Sequence, residues 1–113
     1  MFSKLLSMVE ESYITKVLPN SVKFYLPRTE GYFDIVKEIA SQYGSMSLIE
    51  FDGYFEGKFE PVKYTRVEVH TTTVDEQAIV KYANIIRTRL RQDSLALEFN
   101  NKLILVTKNE TTQ

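Results

Sequence analysis

Two neighbouring stretches, SLIEFDGYFE (residues 47–56) and KYTRVEVHT (residues 63–71), alternate apolar and polar residues. A period of two places successive side chains on opposite faces of an extended strand, whereas a helix needs a period near 3.6. In the first stretch Ile49, Phe51 and Phe55 share one side, with Glu50, Asp52, Tyr54 and Glu56 on the other. In the second, Thr65, Val67 and Val69 face one way, and Tyr64, Arg66, Glu68 and His70 the other. With GKFEP as the turn between them, the spacing predicts a β-hairpin with one face to bury and one left open. A lone hairpin is marginal in water, so the rest of the chain has to cover the apolar side.

The flanking segments supply that cover. VKFYLP, with Val22, Phe24 and Leu26 on one side, reads as a strand. Ile35, Val36, Ile39, Ala40 and Tyr43 then form a helical stripe over about residues 32–43, closed by Gly44 at the position of a C-terminal glycine cap. A second helix is announced by Thr73 and Glu76, spaced as a capping box, with Asp75 also in the first turn. Its buried stripe is Ile79, Tyr82, Ala83, Ile86 and Leu90, and Arg87, Arg89 and Arg91 crowd the end where the helix dipole favours cations. SLALEF and KLILVTK are the last strands, turned by Asn100 and Asn101. Upstream, Leu5, Leu6, Val9 and Tyr13 predict a short amphipathic helix from Ser3 to about Lys16, broken by LPNS; NETTQ reads as a frayed tail over 109–113.

Without its first helix and last strand the order is β-α-β-β-α-β, an α+β ferredoxin-like sandwich with both helices on one face of an antiparallel sheet. Residues 1–113 form one such domain, with an N-terminal helix and turn over 1–19 and an extra C-terminal hairpin strand. The helices are expected to cover Val22, Phe24, Phe51, Val67 and Val69. Tyr25, Tyr54, Tyr64, Arg66, Glu68 and His70 are left on the open face, which suits a subunit contact or a ligand.

Composition narrows the function classes. Lys and Arg number 14 against 15 Asp and Glu, which argues against nucleic acid as a partner. No apolar run approaches the roughly twenty residues that span a bilayer, and the N-terminal stretch brings acids too early for a secretory signal, so no membrane is expected and the location reads as cytoplasmic. With no cysteine there is no disulfide, thiolate nucleophile or Cys-based zinc site.

Glu68 and His70, two apart on one strand, point the same way and suit a general acid/base pair or two metal ligands. Two ligands do not make a metal site and His70 is the chain's one histidine, so the plainer reading is a polar pair on a strand, and neither metal nor cofactor is called for. Tyr54 follows Gly53, which lets a ligand or a neighbouring backbone approach while the ring stacks on a base or a sulfonium; a β-bulge with a half-exposed aromatic is the plainer account. DGYFEGKF resembles an RNA-recognition-motif strand, but Asp52 stands where that motif opens on a basic residue, and Glu50 and Glu56 would repel phosphate. Arg87 and Arg91 are spaced to clamp an anion, though such a cluster also answers the helix dipole.

Taken in order, YGS at Tyr43–Ser45, GYFE at Gly53–Glu56 and RQDSLAL at Arg91–Leu97 resemble the phage S-adenosylmethionine lyases, over roughly residues 22 to 106. The same skeleton resembles an uncharacterised family of small bacterial and phage proteins that usually carry Trp where Tyr54 stands. The lyase resemblance implies a homo-oligomer, a trimer, with active sites between subunits at the sheets, and S-adenosylmethionine as the small-molecule ligand. The reaction it implies gives methylthioadenosine and homoserine lactone. Tyr54, Tyr64, His70, Gln92 and Asp93 are then the candidate substrate-binding residues. The family's glutamate falls where Lys63 or Tyr64 stands here, so Glu60 or Glu68 is the candidate catalytic carboxylate. The alternative is a non-catalytic oligomeric binding module of phage or mobile-element type, whose open sheet face is a subunit contact.

Overall fold

The structure, a computed structural model, describes residues 11–44, 46–72 and 75–109. Its elements are β1 (Asn20–Pro27), α1 (Tyr32–Tyr43), β2 (Ser47–Phe55), β3 (Lys58–Thr71), α2 (Glu76–Arg89), β4 (Ser94–Phe99) and β5 (Lys102–Thr107). They build one five-stranded antiparallel sheet in the order β2-β3-β1-β4-β5. β1 and β3 are central, and each βαβ unit steps over one intervening strand, as the ferredoxin-like α+β arrangement requires.

Both helices pack on one side. Ile35, Val36 and Ile39 of α1 and Ile79, Ala83, Ile86 and Leu90 around α2 join Val22, Phe24, Leu26, Val67, Val69, Leu95 and Leu97 in one buried cluster. Phe24 is fully buried and meets the Tyr82 ring edge-on at 5.9 Å. Glu38 of α1 ties the helices together, accepting from the Tyr82 hydroxyl and from Arg89 Nη1, each at 2.8 Å. Those donors, the Arg89 hydrogen bond above all, hold the Glu38 carboxyl below its usual range.

The C-terminal turn follows the expectation: Asn100 and Asn101 both take positive φ, 49° and 68°, the mirror-image turn that matches strand twist. Asn100 also accepts from the Ser21 amide at 2.8 Å, tying the turn to β1. Gly44 caps α1 at φ 80°, its amide bonded to the Ala40 carbonyl.

Four local expectations are corrected. Residues 11–16 are not helical, and the rest of the expected Ser3–Lys16 helix lies outside the described residues. The cap of α2 is Asp75, whose Oδ1 accepts from the Gln77 amide at 3.0 Å, and Thr73 lies outside the described residues. The β2–β3 turn tightens to Glu56 and Gly57, φ 52° and 77°, so that Lys58 onward is already strand. Register also slips between Phe51 and Gly53, where Asp52 faces three β3 residues that include Pro61. Proline cannot donate to a ladder, and a bulge is where a sheet tolerates it. With the turn at Glu56 and Gly57, Leu48 pairs with Val67 on the helix side, while Ile49 pairs with Arg66 on the open side; Phe51 occupies the position opposite Tyr64. Ile49 thus faces the open side, and Leu48, on the helix side, stays half-exposed and outside the buried cluster.

Candidate functional site

The strands line up the open face in rows. One row reads Ser47, Glu68, Lys23, Glu98 and Leu103 from β2 to β5; the next reads Ile49, Arg66, Tyr25, Ala96 and Leu105. The middle of the face is charged and the β5 margin is apolar, because β1, β3 and β4 alternate with polar residues outward while β5 puts leucines there.

Opposite charges in these rows pair with each other. Tyr25 Oη donates to Glu98 Oε1 at 2.8 Å, and Lys23 Nζ lies 3.4 Å from Glu98 Oε2. The Tyr25 bond, followed by Lys23, holds the Glu98 carboxyl below its usual range. Burial, and then the Glu98 acceptor, push the Tyr25 phenol up. On β3, Glu68 stands between two partners: Arg66 Nη2 is 3.6 Å from Oε2, and His70 Nε2 is 3.2 Å from Oε1. Arg66 Nε is buried with no hydrogen-bond partner among the described residues, so the face retains an unused donor.

Glu68 and His70 are the two sequence candidates that the fold brings into contact. They line a cleft of about 400 Å³ with Met46, Ser47, Lys16 and Leu18. Lys16 and Leu18 come from the segment ahead of β1, which crosses toward β2 at this end of the sheet. Among the described residues no group of three His, Cys, Asp or Glu side chains is placed to hold a metal.

The other candidates stand elsewhere. Tyr64 lies toward the opposite end of β3, and its ring rests on Gly53: a Cβ built there would come within 2.7 Å of Tyr64 Cε2. The glycine is thus matched to a neighbouring ring. Tyr54 and Glu60 belong to the projecting part of the β2–β3 hairpin, where Tyr54 pairs with Phe59 and Glu60 with Gly53; their side chains lie outside the described set. Eight positions along β3 separate Glu60 from Glu68, roughly 26 Å of extended strand. Within one copy the two backbone positions thus stand far apart.

Gln92 and Asp93 connect α2 to β4. Gln92 Nε2 donates to the Leu90 carbonyl at 3.0 Å, its own carbonyl accepts from Arg87 Nη1 at 2.9 Å, and the Asp93 carbonyl accepts from the Lys108 amide at 2.7 Å. Gln92 also lines a cleft of about 480 Å³ with Thr29, Glu30, Gly31, Arg89, Leu90 and Arg91. The sequence placed Lys23 and Tyr25 on the open side but did not single them out, and it missed Met46, Ser47 and Glu98. The outward positions of VKFYLP and SLALEF, which place Lys23, Tyr25 and Glu98 on the open side, are the signal that finds those three.

No family profile and no curated protein matches the sequence. Among solved structures, the chain is similar to a phage SAM lyase in complex with S-methyl-5'-thioadenosine, at TM-score 0.60 and 14% identity, over 85% of this chain and 97% of the lyase. It is likewise similar to a phage SAM lyase in the apo state, at TM-score 0.59 and 14% identity, over 86% of this chain and 98% of that one. The expected likeness to the phage lyases is thus present at the level of the fold.

Proposed function

We propose that the protein is an S-adenosylmethionine-degrading lyase acting at an interface between copies of the chain, as a trimer. The observation that carries this reading is the likeness to the phage lyase over 97% of that chain's length. In the reaction, the substrate's α-carboxylate oxygen bonds to its own γ-carbon. The carbon–sulfur bond breaks and its electron pair goes to sulfur, giving neutral methylthioadenosine and homoserine lactone. No proton has to move. Carboxylate and sulfonium lose their charges together, so the protein's task is to fold the methionine chain into an attacking geometry and exclude water. Glu68 or Glu60 offsets the sulfonium charge, which contributes binding and orientation more than barrier lowering. Tyr54 packs beside the sulfonium or adenine, with Tyr64, His70, Gln92 and Asp93 at the substrate.

Because Glu68 stands far along β3 from the hairpin end that carries Tyr54, a site that uses both residues needs a second copy of the chain. The test is incubation of the purified chain with S-adenosylmethionine and chromatographic detection of methylthioadenosine. Product that is lost in Glu68→Gln or Glu60→Gln, with the oligomer unchanged, supports the lyase and identifies its carboxylate. No product from the unaltered chain overturns it.

One observation favours a second reading, a non-catalytic binding module. Both Glu68 oxygens already have partners in Arg66 and His70, so the carboxylate is satisfied without a substrate. Calorimetry separates the two, because such a module has no turnover heat and releases no methylthioadenosine.

A further inference from the structure

Residues 11–18, ESYITKVL, run ahead of β1 outside any ladder, with Tyr13 80%, Ile14 92%, Val17 75% and Leu18 42% exposed. Their composition is that of a strand, rich in β-branched and aromatic residues, yet no described strand pairs with them. At the opposite margin of the sheet β5 is an edge strand, and its Leu103 and Leu105 are 67% and 61% exposed. Protected edges carry charges, prolines or bulges, or are covered; KLILVT has one charge, at its start, and its outer side is bare among the described residues.

We propose that the 11–18 arm of a second copy pairs along β5 as a sixth strand. An extended arm puts Tyr13 and Val17 on one face and Ile14 and Leu18 on the other. β5 likewise offers Leu103 and Leu105 on the open face, and Ile104 and Val106 on the helix face, half-buried against the core. Apolar pairs therefore meet on both faces, whichever register forms. Eight arm residues span about 26 Å and the six of β5 about 20 Å, so the arm covers the whole edge. Run antiparallel, it brings Glu11 to Lys108 at the end of β5.

The chain's own arm does not serve its own β5. Lys16 and Leu18 line the cleft with Met46 and Ser47, which places the arm toward β2 at the far margin of the sheet. Each copy then gives an arm at one margin and receives one at the other, and the contact closes by reciprocal exchange or as a ring. Docking also fixes Lys16 and Leu18, two walls of the cleft that holds Glu68 and His70. The inference does not depend on the lyase reading.

Sedimentation velocity on the full chain and two double variants is the test. Ile14→Asp with Val17→Asp spoils the arm, and Leu103→Asp with Leu105→Asp spoils the edge. Self-association should weaken at least about tenfold in each variant, while circular dichroism shows the fold intact. An equimolar mixture of the two should regain a one-to-one dimer, since one supplies a sound edge and the other a sound arm. A full chain that stays monomeric at tens of micromolar overturns the proposal. So does an arm variant that associates like the full chain, the result that β5–β5 or face-to-face pairing would give. The arm substitutions touch no core residue, so the arm variant decides the matter even if the edge variant fails to fold.

Discussion

Tyr25 and Glu98 meet across β1 and β4, the hydroxyl donating to the carboxylate at 2.8 Å in the middle of the open face. This bond is the main cause of the lowered Glu98 carboxyl. Tyr25→Phe should cost about 1–2 kcal/mol by denaturant unfolding. Carboxyl NMR titration of the same variant should show Glu98 rising toward the usual glutamate range, since only the smaller influences of Lys23 and Arg66 remain. An unchanged Glu98 titration would mean that the tyrosine does not set its charge.

Acid should loosen both sides of the sheet in one window. Glu38 and Glu98 both have folded pKa values below those of the unfolded chain. Their contribution is present above the unfolded glutamate pKa of about 4.3 and is lost as pH falls through the lower folded values. Stability should therefore decline below about pH 5, and Glu38→Gln with Glu98→Gln should flatten that decline. Urea midpoints measured from pH 6 to pH 3 check this. A decline as steep in the double variant as in the parent would assign it to other carboxylates.

Gly53 and Tyr64 are matched across the β2–β3 hairpin. Gly53→Ala would drive a methyl against the ring, at a cost of about 1–3 kcal/mol. Tyr64→Ala should remove most of that penalty, so the two changes together should cost less than their sum. Additive costs in a double-mutant cycle would show that the glycine is needed for the bulge and not for the ring.

Much of the fold was legible in local pattern, and the departures have physical causes. α1, its Gly44 cap and the Asn100–Asn101 turn follow from periodicity and turn chemistry, which act within a few residues. The face assignment of β2 failed because the hairpin turns at Glu56 and Gly57 and not over GKFEP, which shifts the pairing by an odd number of residues and exchanges the two faces. Thr73 and Asp75 are both good caps, and only the folded backbone chooses Asp75. The early helix rested on the spacing of Leu5, Leu6, Val9 and Tyr13; of these Tyr13 is described, and there the chain is not helical and the ring is exposed. Glu68 beside His70 was readable because one strand carries both. Glu98 beside Tyr25 was not, because β1 and β4 are joined only through the sheet.

Arg91 offers a stabilising change. It sits just past α2 with φ 56°, and the turn is closed by Gln92 N–H to the Arg87 carbonyl at 3.0 Å and Arg91 N–H to the Thr88 carbonyl at 3.1 Å. That pattern is the helix-ending motif in which glycine is preferred, since a Cβ is disfavoured in the left-handed region. Arg91→Gly should raise stability by about 0.5–1 kcal/mol, seen as a higher denaturant midpoint with an unchanged slope. A fall of similar size would mean that the side chain holds more than its exposed place beside the 480 Å³ cleft suggests. The cleft itself would then be the place to look for what Arg91 holds.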